Sequence, residues 1–246
     1  MPPTATLDTT FGRPARVWAG PTVAYPEAPS RKLVFFDLDE TLLSYNSAFA
    51  WMMRELRGGH ITPWQALVGC WWYLLYVLGL TRLDDVLRRG SMAARGRSAS
   101  ETRDRVHAFW RDDVSRHLRA RCAEVIESHR RLGHDIALLT ASSDDLSAHA
   151  AAHWGIEHVL CNRFEVDGDR FTGRLVEPLC FGAGKLHHAR ALADTLGYDL
   201  KDCVFYTDSY SDLPAMEAMG TAVAVHPDLR LAHAARKRGW EIAYWN

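Results

Sequence analysis

The chain has 246 residues, 48% hydrophobic and 24% charged, and a formal net charge of −1, an ordinary globular composition for one large or two small domains. The near-neutral charge argues against a nucleic-acid protein, which would carry a basic face or a high isoelectric point. Five scattered cysteines (Cys70, Cys122, Cys161, Cys180 and Cys203) contain no Cys-x-x-Cys pair. They form neither a zinc pattern nor a disulfide framework, and free buried thiols in a reducing, cytoplasmic compartment are expected.

Residues 1–30 carry Pro2, Pro3, Pro14, Pro21, Pro26 and Pro29 with no periodic apolar pattern and no secretory signal; a disordered tail is expected. Leu33-Val34-Phe35-Phe36 then reads as a short strand buried on both faces. It ends at Asp37, where ligands bind in open α/β sheets. Residues two apart in an extended chain point the same way, so Asp37 and Asp39 face one cleft. Two carboxylates held that close need a cation or a shared proton. Glu40, next along, is expected to point elsewhere.

From Ser44 to about Gly133 no strand signal interrupts the chain. Helices are predicted over Ala48–Leu56, Pro63–Leu78, Leu83–Ala94 and one long helix within Glu101–Leu132; Pro63 after Thr62 is a helix start. Ninety residues exceed what one crossover needs, so the segment reads as an inserted helical domain over the strand ends. Residues 66–80 lack any charge, yet fall short of the roughly 20 apolar residues of a membrane span. A buried helix is expected there, and peripheral membrane contact through 64–80 is the less favoured alternative.

Asp135–Thr140 is a second buried strand, ending in a hydroxyl, and Asp145–Trp154 a helix. Hydroxyls and backbone N–H groups at such a place bind phosphate oxygens. Phe164–Gly173 reads as a hairpin with Asp167-Gly168 at its turn, which makes Asp167 and Asp169 turn residues. Gly182-Ala183-Gly184-Lys185 is not a nucleotide P-loop, because Leu179 stands where the first glycine belongs and Leu186 where Ser or Thr belongs. Lys185 instead opens a helix running to about Leu196. Cys203–Thr207 is a third strand, ending at Asp208, and Asp212 follows four residues on. Thr221–Val225 and Leu229–Arg238 are a last strand and a closing helix.

Phe35-Phe36-Asp37-Leu38-Asp39-Glu40-Thr41, strand-Thr140, Lys185 and Asp208-x-x-x-Asp212 resemble, in order, the four motifs of the haloacid dehalogenase superfamily over residues 31–246. Asp167-Gly168-Asp169-Arg170-Phe171, Cys180-Phe181-Gly182-Ala183-Gly184-Lys185 and Tyr206-Thr207-Asp208-Ser209-Tyr210-Ser211-Asp212 look like the subfamily IB hydrolases related to phosphoserine phosphatase. The resemblance implies an α/β fold, a doubly wound Rossmann-like parallel sheet. Its core would be 31–44 and 134–246, with a helical C1-type cap at 45–133. It implies a Mg²⁺-dependent phosphomonoesterase for a small-molecule substrate: Asp37 the nucleophile, Asp39 the acid and base, and Thr140, Lys185 and Ser211 on the phosphoryl oxygens. Asp37, the Asp39 carbonyl and Asp208 would hold Mg²⁺, with Asp212 in support.

The same motifs would serve phosphoserine, histidinol phosphate or a lipid phosphate, and a phosphotransferase would share them all. A receiver-type signalling module also uses Asp, Thr, Lys and Mg²⁺, but needs neither Asp39 nor a ninety-residue insert. Phosphoserine phosphatases place a Glu nine residues after the nucleophile, to meet the substrate amine. Here that position is Asn46, within reach of a leaving group.

Overall fold

The computed structural model describes residues 31–245 apart from 79 and 82, and residues 31–246 group as one compact unit. The expected tail, 1–30, lies outside the described residues. All four residues of β1 (Leu33–Phe36) are buried. Their alternation explains why: Val34 and Phe36 enter one apolar cluster and Leu33 and Phe35 another, on opposite faces of a sheet.

The sheet is six-stranded and parallel throughout, in the order β3-β2-β1-β6-β7-β8. Its further strands are β2 (Asp135–Ser143), β3 (His158–Asn162), β6 (Cys203–Thr207), β7 (Thr221–Val225) and β8 (Glu241–Ala243). Leu33 pairs with Asp135 on one side and with Cys203 on the other, so β1 is central. After β1 the chain builds outward through β2 and β3 and then crosses to β6 on the far side. Asp37 therefore emerges at the topological switch point, where α/β sheets open a crevice.

Helices cover both faces, as a doubly wound sheet requires. On the Val34/Phe36 face lie α4 (Ala99–Asp112), α5 (Ala120–Arg131) and α6 (Asp144–Trp154), through Phe109, Ile126 and Ala150. On the Leu33/Phe35 face lie α7 (Ala183–Leu196), α8 (Leu213–Ala218) and α9 (Leu229–Arg238), through Ala189, Met216 and Leu231. An antiparallel hairpin, β4 (Phe164–Asp167) and β5 (Arg170–Leu175), turns at Asp167-Gly168 as expected. Asp169 does more than turn: it accepts from the Ser98 and Ser100 hydroxyls and the Ser100 N–H, fastening the hairpin to the start of α4.

Between β1 and β2 the described chain is helical, with α1 (Ser47–Arg57), α2 (Pro63–Val77) and α3 (Leu83–Ala93) preceding α4 and α5. Two expectations need correction. The single long helix within 101–132 is broken: Val114 is fully buried at the break, Leu118 bridges Leu43, and the Arg119 N–H donates to the Leu42 carbonyl. Pairing with the segment after β1 outcompetes continued helix. The second is α2, which is not buried. It packs against α1 and α3 on one side, while Trp64 and Trp71 are 70% and 57% exposed on another. The edge strand β8 had no signal in the sequence. Among the described residues no helix is long and apolar enough to cross a membrane.

Candidate active site

Where β1 stops, the Asp37 N–H still donates to the Tyr206 carbonyl at 2.9 Å, which extends the ladder with β6 by one residue. The chain then makes a five-residue turn, Leu38–Leu42, closed by Leu43 N–H on the Leu38 carbonyl. Glu40 sits in this turn at φ +56°, a left-handed conformation. That reversal points the Glu40 side chain into solvent and lets Asp39 face back, where the Ser47 N–H at the start of α1 donates to its Oδ1 at 2.6 Å. Arg119 donates to the Glu40 carbonyl at 3.2 Å and holds the turn from outside.

Lys185 enters from the first turn of α7 and is 2% exposed. Its Nζ lies 3.0 Å from Asp37 Oδ1 and 2.7 Å from Asp212 Oδ2. Gly184 allows that approach, since a Cβ there would meet the Leu179 carbonyl oxygen at 1.8 Å. Asp212 is fully buried and also accepts from Thr207 Oγ1 at 2.6 Å, so its carboxylate is occupied by the lysine and the hydroxyl. Asp208, one residue past β6, accepts from Thr41 Oγ1 at 3.2 Å. Ser211 shares a hydrogen bond with Ser209 and touches Asp212 Oδ1 at 3.5 Å.

Thr140 is 1% exposed on β2, the neighbour of β1, and its Oγ1 accepts from the Ser142 N–H. Its hydroxyl proton remains for another acceptor. The loop after it is tied down by Asn162, whose amide donates to the Ala141 carbonyl and accepts from the Cys180 N–H. One buried side chain thus joins the end of β2 to the segment that presents Lys185.

The electrostatics follow from crowding acids in a buried place. Burial pushes the Asp37 carboxyl up, Lys185 opposes that, and Asp212 and Asp39 add to it. Burial also raises Asp39, against the hydrogen bonds from Ser47. Asp208 is raised well above its ordinary value by burial, then by Asp37, Asp212 and Glu40. Burial alone would lower Lys185, but Asp212 and Asp37 outweigh it and hold the ammonium charged.

Such mutual repulsion is what a cation relieves, and the donors at hand are oxygens, which suits a hard ion such as Mg²⁺. Among the described residues no three His, Cys, Asp or Glu side chains already stand as a ligand set. A set of two carboxylates and a main-chain carbonyl is compatible with that.

Of the residues named from the sequence, Asp37, Lys185 and Asp212 are in direct contact. Asp39 and Asp208 are held by Ser47 and Thr41 and meet the cluster through charge, Asp39 raising Asp37 and Asp37 raising Asp208; Ser211 borders it. Asn162 and Arg119 carried no signal of their own, and Thr41 and Thr207 stood inside the quoted motifs without a role. Asn46 caps α1: its Oδ1 accepts from the Phe49 N–H at 3.1 Å.

The family model for haloacid dehalogenase-like hydrolases matches residues 34–217. Phosphoserine phosphatase SerB1 of Mycobacterium tuberculosis is 34% identical over 238 residues, covering 93% of this chain and 76% of that protein. A crystal structure of a Bordetella pertussis protein of unknown function superimposes with a TM-score of 0.80 at 28% identity, covering 87% of this chain and 98% of that one. A phosphoserine phosphatase solved as a phospho-aspartyl intermediate analogue matches with a TM-score of 0.66 at 17% identity, covering 87% and 93%.

Proposed function

The chain belongs to the haloacid dehalogenase-like hydrolases and is a phosphatase, and from that premise we propose that it cleaves a small phosphomonoester through an aspartyl-phosphate on Asp37. The observation that carries this reading is the buried Lys185 ammonium, 3.0 Å from Asp37 Oδ1, at the switch point of the sheet. The phospho-aspartyl analogue of a solved phosphoserine phosphatase supports the same route.

In the first step an Asp37 oxygen bonds to phosphorus, the bond to the substrate alcohol breaks, and Asp39 gives its proton to the departing oxygen. In the second, Asp39 takes a proton from a water that attacks the same phosphorus, releasing phosphate and the free Asp37 carboxylate. Ser47 fixes one Asp39 oxygen and leaves the other to handle the proton. Lys185 and Thr140 receive phosphoryl oxygens, with Ser211 beside them, and Asp212 with Thr207 keeps Lys185 in place. Asp37, Asp208 and the Asp39 carbonyl would hold Mg²⁺, which when bound offsets the charge gathered on the phosphoryl oxygens. Within 45–133, α4 and α5 pack on the face of the sheet, and the remaining helices, α1 to α3, act as a cap over this edge.

The substrate carries an alcohol other than serine as its preferred group. With Asn46 spent on capping α1, no carboxylate stands nine residues after Asp37 to meet an ammonium. Without a charge-assisted hydrogen bond there, binding of an ammonium-bearing substrate is weaker by about 1.5–3 kcal/mol, roughly one to two decades in rate.

The test is phosphate release from phosphoserine, histidinol phosphate and a lysophosphatidate, with Mg²⁺, with excess chelator, and with Ca²⁺ in its place. Turnover is expected with Mg²⁺ only, with the two ammonium-bearing substrates, phosphoserine and histidinol phosphate, both slower than the lysophosphatidate by kcat/KM. Full activity in chelator overturns the metal assignment. Phosphoserine as the best substrate overturns the Asn46 argument and leaves the chemistry standing.

A further inference from the structure

The helix α2 has no charged residue, and apolar side chains on every face. Such a helix is ordinarily enclosed, yet one side of it is open. Trp64, Leu67, Trp71, Leu74 and Leu78 follow at alternating intervals of three and four, which places them in one line along the helix. All five are exposed, with Leu67 at 59% and Leu78 at 60%, and Val68 widens the band. Two tryptophans and three leucines side by side form a continuous apolar strip of the kind that marks an interaction surface.

The surroundings of the strip say what it meets. From Ser47 to Ser98 the sequence carries seven arginines and three acids, in a chain whose formal net charge is −1; of these Arg54, Arg88 and Arg97 are paired with Asp112, Glu177 and Glu55. Arg57 is exposed at the end of α1, just before α2 begins. Arg89 is exposed on α3 with its guanidinium 3.8 Å from the Trp72 ring, held against α2 itself. A second copy docked on the same strip would bring one basic segment against another. An anionic lipid surface has the opposite sign, and Trp and Leu with flanking Arg is the pattern of helices lying in a bilayer interface.

We propose that the exposed strip of α2, from Trp64 to Leu78, docks the protein on anionic lipid bilayers. The helix lies in the interface with its strip among the acyl chains, and Arg57 and Arg89 of the flanking helices sit at the headgroups. Tyr73, on the same helix, has its hydroxyl pushed up by burial and then by Glu40, Asp208 and Asp39. The proposal does not depend on the phosphatase chemistry.

The experiment is co-sedimentation of the full chain with phosphatidylcholine vesicles, with or without phosphatidylglycerol, at low and high salt, with tryptophan emission recorded in parallel. Binding to the anionic vesicles is expected to exceed binding to neutral ones by about tenfold, to weaken at high salt, and to shift the emission to the blue. The combined Trp64→Ser and Trp71→Ser variant is expected to lose about tenfold in binding while keeping its circular dichroism and its hydrolysis of a soluble phosphomonoester. Equal binding to both vesicle types, or no emission shift in the unaltered protein, overturns the proposal without needing any variant to fold. So does a dimer in light scattering that the variant dissolves, since the strip would then be a surface between copies.

Discussion

The carboxyl edge of the sheet and the helix α2 treat polarity in opposite ways. At the edge, Asp37, Thr140, Lys185, Thr207 and Asp212 are buried, and Lys185 is shared between two carboxylates, of which Asp212 is also steadied by the Thr207 hydroxyl. On α2 there is no charge at all, and two of its three tryptophans, Trp64 and Trp71, face outward. The first region invests its contacts in fixing groups that must not move. The second leaves apolar surface unspent for something outside the chain. The difference teaches that reaction chemistry and recognition occupy separate layers here, so substitutions in the two should separate by kind of effect.

The largest effect expected is at Asp37. Asp37→Asn removes the nucleophile and should lower turnover by roughly a thousandfold or more, with unfolding by urea little changed because Lys185 keeps Asp212. Near-full activity in that variant would end the covalent route and with it the chemical half of the contrast. Next is Lys185→Met, which leaves Asp37 and Asp212 buried without their counter-charge. Loss of one partner of such a cluster costs about 3–5 kcal/mol, visible as a lower urea midpoint. Adding Asp212→Asn should recover part of it, and an additive double variant would show that the two groups are not coupled.

Gly184→Ala comes third. A Cβ at 1.8 Å from the Leu179 carbonyl must displace backbone, at roughly 1–3 kcal/mol. Because Lys185 is the next residue, kcat should fall together with stability; a stable variant with unchanged kcat would show that the lysine does not depend on that close approach. The smallest effect belongs to the helical layer. Asn46→Ala removes the α1 cap and should cost about 1 kcal/mol while kcat on the best substrate holds. A large drop in kcat there would merge the two layers and put Asn46 among the groups that touch substrate.

The edge was legible in the sequence because each strand is a continuous apolar run that stops at Asp37, Thr140 or Asp208. Lys185 stood out through the glycines before it. What stayed hidden depends on contacts distant in the chain. The break between α4 and α5 needs Arg119 to pair with Leu42, and the tie from Asn162 to Ala141 and Cys180 needs three separate segments in register. Hydrophobicity identified α2 as apolar, but not which of its sides would be covered. Asn46 is a different case: an Asn just before a helix is an ordinary capping signal, and the resemblance to a substrate-binding position drew attention away from it.

The position of β1 also bears on how the molecule is made. This strand leaves the ribosome first among the six, yet it pairs through Leu33 with Asp135 on one edge and with Cys203 on the other. During synthesis Leu-Val-Phe-Phe waits with both edges open until Asp135–Leu138 has appeared, and with one edge open until Cys203–Tyr206 follows. Such non-local pairing makes folding slow, and a waiting apolar strand is a template for mispairing between nascent chains. The strand that delivers the nucleophile is thus the earliest to be made and among the last to be secured, which ties the maturation of catalysis to completion of the chain.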